Sequence, residues 1–188
     1  KAFAAADIVI HLAAKRLSRD SSFFKVSEFF DANILLTEEV LSAAKNSNVA
    51  RVCYTSSISV YSGRDPQPCR EDQASVAGNV YGISKLVCEQ MAESFSRYTD
   101  IKTTGLRLGR VFGAGEREDL VFMKYLKLAS QKQTLSVFGE GKRVIDFIYI
   151  EDVLAAIAKA IRPDAPAGIY NIGSGRGFSV REVAETIN

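Results

Sequence analysis

A tyrosine and a lysine four residues apart, Tyr81 and Lys85, carry the sharpest chemical signal in the chain. The stretch Tyr81-Gly82-Ile83-Ser84-Lys85 opens what the pattern predicts as a helix running to about Tyr98, and residues four apart share one helix face. An ammonium beside a phenol favours the phenolate. A hydroxyl-rich run, Thr55-Ser56-Ser57, closes a strand-like segment about 24 positions before Tyr81. A serine hydroxyl arriving from a neighbouring strand end can bond the same substrate oxygen, so the three groups suit proton transfer between an alcohol and a ketone. Tyr and Lys are common on helices, so the pair gains its meaning from the elements around it.

Those elements alternate. Asp7 to Ala14 reads as a buried strand running into a small-residue turn, and Asn33 to about Asn46 as a helix with Ile34, Val40, Leu41 and Ala44 inward. Arg51 to Ser56 is a predicted strand, and Gly63 to Gln73, with Pro66 and Pro68, a surface loop. After the Tyr81 helix come a strand over Thr104 to Val111, a helix over Leu120 to Ser130 and an extended run from Arg143 to Ile150. Next are a helix from Glu151-Asp152 to Ile161 and a strand over Gly168 to Ile172. Ser179 is placed to cap the last helix, with Glu182 completing a capping box. Alternation of this kind predicts an α/β fold with a parallel sheet and right-handed crossovers.

Composition narrows the function classes. The chain has 188 residues, 47% hydrophobic and 24% charged, with net charge +2. That is enough to bury a core, and a near-neutral balance without a basic cluster argues against nucleic acid as a partner. No apolar run approaches the ~18 residues of a membrane span, so no membrane partner is expected. Cys53, Cys69 and Cys88 lack metal-ligand spacing and read as reduced thiols of a cytoplasmic protein. The lone histidine, His11, argues against a multi-histidine metal site and reads as structural. Three glycine clusters, at 113–115, 139–141 and 173–177, lack the G-x-G-x-x-G spacing between strand and helix and read as turns. A dinucleotide fold opens with such a turn, so a preceding segment of roughly 60 residues is expected, judged from the size of a βαβ unit.

Taken in order, His11-Leu12-Ala13-Ala14, Asn33, Thr55-Ser56-Ser57-Ile58-Ser59-Val60-Tyr61, Tyr81-x-x-x-Lys85, Leu106-Arg107, Val111-Phe112-Gly113-Ala114-Gly115, Asp146-Phe147-Ile148-Tyr149-Ile150-Glu151-Asp152-Val153 and Tyr170-Asn171-Ile172-Gly173-Ser174-Gly175 resemble the extended short-chain dehydrogenase/reductases. Within these they are most similar to the NAD-dependent nucleotide-sugar epimerase/dehydratase family. The likeness spans nearly the whole chain.

The resemblance implies a Rossmann-type parallel sheet, N-terminally truncated, with part of a smaller C-terminal substrate-binding region. Residues 1–111 would form the core and 112–188 a mixed core and substrate region, with further chain beyond Asn188. It implies that Tyr81 is the general acid/base, that Lys85 holds the nicotinamide ribose and that Ser57 bonds the reacting oxygen. Leu12, Ala13 and Ala14 would line the cofactor and Asn33 would support it. The implied cofactor is NAD, with NADP left open. The substrate would be a nucleotide sugar, bound with help from Ser57, Arg110 and Arg143.

The chain departs from the family pattern at Arg110, where Asn is usual. It departs again at Ile145, where Arg often precedes the Asp, Arg143 lying two residues earlier. Family members that eliminate water carry Asp-Glu where this chain has Ile58-Ser59, which favours epimerisation or reduction. A reductase of another carbonyl and a non-catalytic nucleotide-binding regulator are the alternatives. Leu35, Leu36, Leu86, Val87, Met91 and Phe95 make two helices apolar on more than one side. With the resemblance, that implies a homodimer through a four-helix bundle.

Overall fold

The computed structural model describes residues 3–17, 25–62, 68–118 and 120–188. The chain forms two compact units. The first contains residues up to Leu108 together with Ala155–Asn171, and the second contains Gly109–Leu154 and Ile172–Asn188.

The first unit is built on the sheet β1 (Ile8–His11), β2 (Arg51–Ser57), β3 (Lys102–Leu108) and β6 (Gly168–Ile172), in the spatial order β1-β2-β3-β6. β1–β2 and β2–β3 are parallel pairs. β2 reads Arg-Val-Cys-Tyr-Thr-Ser-Ser and is buried along nearly all of its length, as a parallel strand covered on both faces must be. Helices α1 (Val26–Phe29) and α2 (Leu36–Lys45) are joined without a break by a π-helical turn over Phe30–Leu35. The helix predicted from Asn33 therefore begins seven residues earlier, at Val26. α3 spans Val80–Arg97, with the Asn79 side chain capping its start by accepting from the Gly82 N–H at 2.8 Å. Val9, Leu41, Ala44, Val49, Val52 and Ile101 form the core here, with Val40, Met91 and Phe95 packed against it. Met91 and Phe95, both half-buried, pack against this core; the large apolar residues these helices expose include Val26, Phe30, Leu35 and Ile83.

The second unit carries β4 (Arg110–Phe112), α4 (Val121–Ser130), β5 (Val144–Tyr149), β7 (Gly177–Ser179) and α6 (Val180–Ile187). β5 is parallel to β4 and antiparallel to β7, so the single strand predicted over Thr104–Val111 is two strands in two sheets. The antiparallel β7 also departs from the all-parallel expectation. The Ser179–Glu182 capping box forms as predicted: the Ser179 hydroxyl accepts from the Glu182 N–H and the Glu182 carboxylate accepts from the Ser179 N–H. α5 (Ile150–Ala160) begins in the second unit and ends in the first.

The first two glycine clusters form turns, and the third is a bent segment that runs into β7 at Gly177. Gly115, Gly139, Gly141 and Gly175 all have left-handed backbone. The third cluster is held from within the protein: the Asp146 carboxylate accepts from the Ser174 N–H at 2.8 Å, the Ser174 hydroxyl at 2.7 Å and the Gly175 N–H at 3.3 Å. Of the predicted loop over Gly63–Gln73, residues 63–67 lie outside the described residues; 68–73 are irregular, with a turn at Glu71 and Asp72. Among the described residues, no helix is long and apolar enough to cross a membrane.

Candidate active site

The carboxyl end of β2, which carries Ser57, meets the first turns of α3, which carry Tyr81 and Lys85. Lys85 is only 5% exposed, and its Nζ donates to the Thr55 carbonyl at 2.7 Å. Burial pulls its pKa below the ordinary lysine value, while the neighbouring Cys88 and Glu89 partly offset that. The ammonium has two further N–H groups to present to a ligand. Ser57, the last residue of β2, caps the short 3₁₀ helix Ile58–Tyr61 by accepting from the Ser59 N–H at 3.1 Å. Accepting leaves the serine O–H itself to be aimed elsewhere. Tyr81 is half-buried in the first turn of α3.

Gly82 sets how closely these pieces approach. A Cβ at this position would overlap the Ser59 carbonyl oxygen. A side chain there would push the turn bearing Tyr81 off the turn that follows Ser57.

Asn33 joins a second line of contacts. It is 1% exposed and sits in the π-helical turn. Its Oδ1 accepts from the Lys15 N–H at 2.7 Å, and its Nδ2 donates to the Lys15 carbonyl at 3.2 Å and to the Ser84 hydroxyl at 2.8 Å. Ser84 in turn donates to the Tyr81 carbonyl at 2.8 Å. Asn33 therefore pins the chain just after Leu12-Ala13-Ala14 and links it to the Tyr81 turn. Leu12 and Ala13 are exposed and Ala14 half-exposed at the carboxyl end of β1, where parallel sheets bind ligands. His11 faces inward on this side: its Nε2 lies 3.2 Å from the Thr37 hydroxyl.

The two predicted arginines lie in the second unit. Arg110 is an exposed residue that opens β4 opposite Phe147. Arg143 is exposed just before β5, four positions from Phe147 and so about 13 Å down an extended strand from Arg110's partner. Their backbones are not brought together. Arg143 borders a cleft of about 440 Å³ lined also by Tyr125, Phe138, Lys142 and Val180. Phe138 is 92% exposed at this cleft.

Three residues that sequence reasoning gave no role stand directly behind Ser57 and Lys85. They are Ser56, Glu89 and Arg107, all buried. The signals were present: Glu89 is the next member of the Tyr81, Lys85 stripe, and Arg107 is a cation flanked by Leu106 and Leu108 in a strand, where burial forces it to find a partner.

A model of the NAD dependent epimerase/dehydratase family matches residues 1–173. The chain belongs to this family. Its fold superposes on the Bacillus cereus UDP-N-acetylglucosamine 4-epimerase with a TM-score of 0.87 at 31% identity, covering 97% of this chain and 62% of that one. It also superposes on the Bacillus cereus UDP-glucuronic acid 4-epimerase, solved with UDP-glucuronic acid and NAD, at TM-score 0.86 and 27% identity, covering 96% and 58%. The human dTDP-D-glucose 4,6-dehydratase is 28% identical over 181 residues, covering 96% of this chain and 51% of its own. This epimerase/dehydratase family member thus spans about half to three fifths of the length of the relatives it matches.

Proposed function

We propose that the intact protein is a cytoplasmic NAD-dependent enzyme that epimerises a sugar carbon of a nucleotide sugar. The reading is carried by one observation. Lys85 on the Thr55 carbonyl, and Gly82 against the Ser59 carbonyl, seat the Tyr81–Lys85 helix on the strand end that bears Ser57. In this reading Tyr81, as phenolate, takes the proton of the sugar hydroxyl and later returns it, while Ser57 hydrogen-bonds the same oxygen. Lys85 holds the nicotinamide ribose and stabilises the phenolate charge. Leu12, Ala13 and Ala14 would line the nicotinamide, in a segment that Asn33 holds through the Lys15 backbone. When bound, the nicotinamide supplies hydride uptake from the sugar carbon and its return. These residues fit that half of the cofactor: a backbone edge with small side chains, and a buried ammonium with donors to spare.

Arg143, beside the exposed ring of Phe138, would hold the diphosphate end of the substrate, with Arg110 as a further cation. The exposed Val26, Phe30, Leu35 and Ile83 would pair with a second copy, the homodimer being built from these helices.

Similarity to the human dehydratase favours water elimination as a second reading. Ile58-Ser59 stands against it, since neither residue offers a carboxylic acid to protonate a departing hydroxyl. The test is to incubate the intact protein with NAD and a panel of UDP- and dTDP-hexoses and to identify products by NMR. An epimer supports the proposal, and a 4-keto-6-deoxy sugar as the main product overturns it in favour of dehydration. Tyr81→Phe should lower turnover by about 10² or more, the range for a positioned acid/base. Lys85→Met should lose both turnover and NAD affinity. Wild-type turnover in Tyr81→Phe would refute the site.

A further inference from the structure

A buried polar network ties the two halves of the candidate site together from behind. Glu89, 2% exposed, lies one turn beyond Lys85 on α3. Its Oε1 accepts from the Ser56 hydroxyl at 2.5 Å and from Arg107 Nε at 2.9 Å, and its Oε2 accepts from Arg107 Nη2 at 2.8 Å. Arg107 Nη1 donates to the Tyr61 hydroxyl, and its guanidinium lies 4.9 Å from the Tyr61 ring centre. The Tyr61 hydroxyl is in turn placed to donate to Asn171 Oδ1 at 3.0 Å or to the Arg70 carbonyl at 3.2 Å. The network therefore joins β2, β3, β6, α3 and the 3₁₀ turn, all within the first unit.

Stability alone is a poor reason for such a pair. Replacing a buried ion pair with well-packed apolar residues is often neutral or stabilising, because removing two charges from water offsets their attraction. What a bidentate Arg–carboxylate pair does supply is direction, since the fork fixes the angle at which the carboxylate is held. Here the fixed carboxylate grips the hydroxyl of the residue directly before Ser57. One turn earlier on the same helix, Lys85 grips the carbonyl of Thr55. Two successive residues of the strand end are thus clamped to two successive turns of α3, leaving the strand little freedom to slide or rotate against the helix that carries Tyr81.

We propose that Glu89, oriented by Arg107, is a positioning residue that sets the separation between the Ser57 hydroxyl and the Tyr81 phenol by clamping Ser56. The inference rests on the reading of Tyr81 as acid/base and assigns Glu89 no contact with substrate or cofactor.

The test compares Ser56→Ala, Glu89→Gln, Glu89→Asp and Tyr81→Phe in the intact protein, using the substrate identified by the product panel. Misplacing reacting groups by about 1 Å costs up to about 10²-fold. Ser56→Ala and Glu89→Gln should therefore lower kcat by about 10- to 10²-fold, with the KM for the nucleotide sugar and the NAD affinity within about twofold of the parent. Glu89→Asp keeps the charge but draws it back by one methylene, and its kcat should also fall. A merely structural role would lower the melting temperature while leaving kcat per folded molecule unchanged. If Tyr81→Phe is inactive but Ser56→Ala and Glu89→Gln turn over like the parent, the positioning role is overturned and the site stands. If Tyr81→Phe is fully active, the site fails and the positioning role fails with it. Should Glu89→Gln not fold, Ser56→Ala decides, because it removes one hydroxyl and leaves the ion pair intact.

Discussion

Gly82, the third residue of α3, lies directly against the backbone carbonyl of Ser59, with no room for a side chain between them. In an unconstrained helix, Gly→Ala gains about 0.5–1 kcal/mol. Here the added methyl meets backbone, which cannot swing aside, and overpacking of this kind costs about 1–3 kcal/mol. Gly82→Ala should therefore destabilise the protein, seen as a lower urea midpoint with an unchanged slope. It should also lower kcat, because the displaced turn carries Tyr81. A stabilised Gly82→Ala variant would contradict the contact.

The Glu89–Arg107 pair separates stability from activity. Arg107→Ala leaves a buried carboxylate without its counter-ion and should cost about 3–5 kcal/mol, measured by urea unfolding. Glu89→Leu combined with Arg107→Met removes both charges, and most of the stability should return. Turnover should not return with it, since the grip on Ser56 is gone. A double variant that regains both would assign the pair to stability alone.

His11 gives a pH dependence of known sign. Burial, with the charge of Lys85 adding to it, holds its pKa below the ordinary 6.5. As pH falls, the unfolded chain takes up the proton before the folded one does. The contribution of the neutral ring is therefore fully present above about 6.5 and is lost as pH drops through the depressed folded value. Urea midpoints should fall between about pH 7 and pH 5, and His11→Gln, which keeps a partner for Thr37, should flatten that part of the curve. Identical pH profiles in the two proteins would remove His11 as the cause.

Arg143 tests the substrate assignment independently of the chemistry. A hydrogen bond to a charged group is worth about 1.5–3 kcal/mol, so Arg143→Ala should raise the KM for the nucleotide sugar roughly 10-fold or more. NAD affinity should not move. If neither Arg143→Ala nor Arg110→Ala affects nucleotide-sugar kinetics, a reductase of an uncharged carbonyl becomes the better reading.

The elements that position the site were legible where a local rule governs them. β2 announces itself as an apolar and hydroxyl run from Val52 to Ser57, α3 by its periodicity, and α6 by Ser179 and Glu182. The break between β3 and β4 was hidden because Gly109 sits in a continuous β-like sequence; in the fold its N–H bonds the Ile172 carbonyl at the end of β6, at 2.8 Å, and the next residue opens a strand of the other sheet. The Glu89–Arg107–Tyr61 network was hidden for a similar reason. Its members lie 18 and 46 positions apart, so their pairing depends on tertiary approach rather than spacing. The start of the first long helix was missed because the sequence there does not keep a 3.6-residue period.

The π-helical turn at Phe30–Leu35 explains that lapse and has a consequence for how the protein tolerates change. Phe29 and Leu41 are both buried, yet twelve residues of α-helix would rotate them about 120° apart. Taking one residue up in the wide turn leaves eleven, which brings the two back within about 20° of each other. The turn is thus a phase corrector: it inserts one position into the helix and restores the buried stripe on the far side. Asn33 sits in that inserted stretch and holds Lys15 and Ser84 from it. Length, and not only residue type, is therefore under constraint in residues 30–35. Deleting one position there would keep a regular helix over the sheet while moving the asparagine out of reach of both partners.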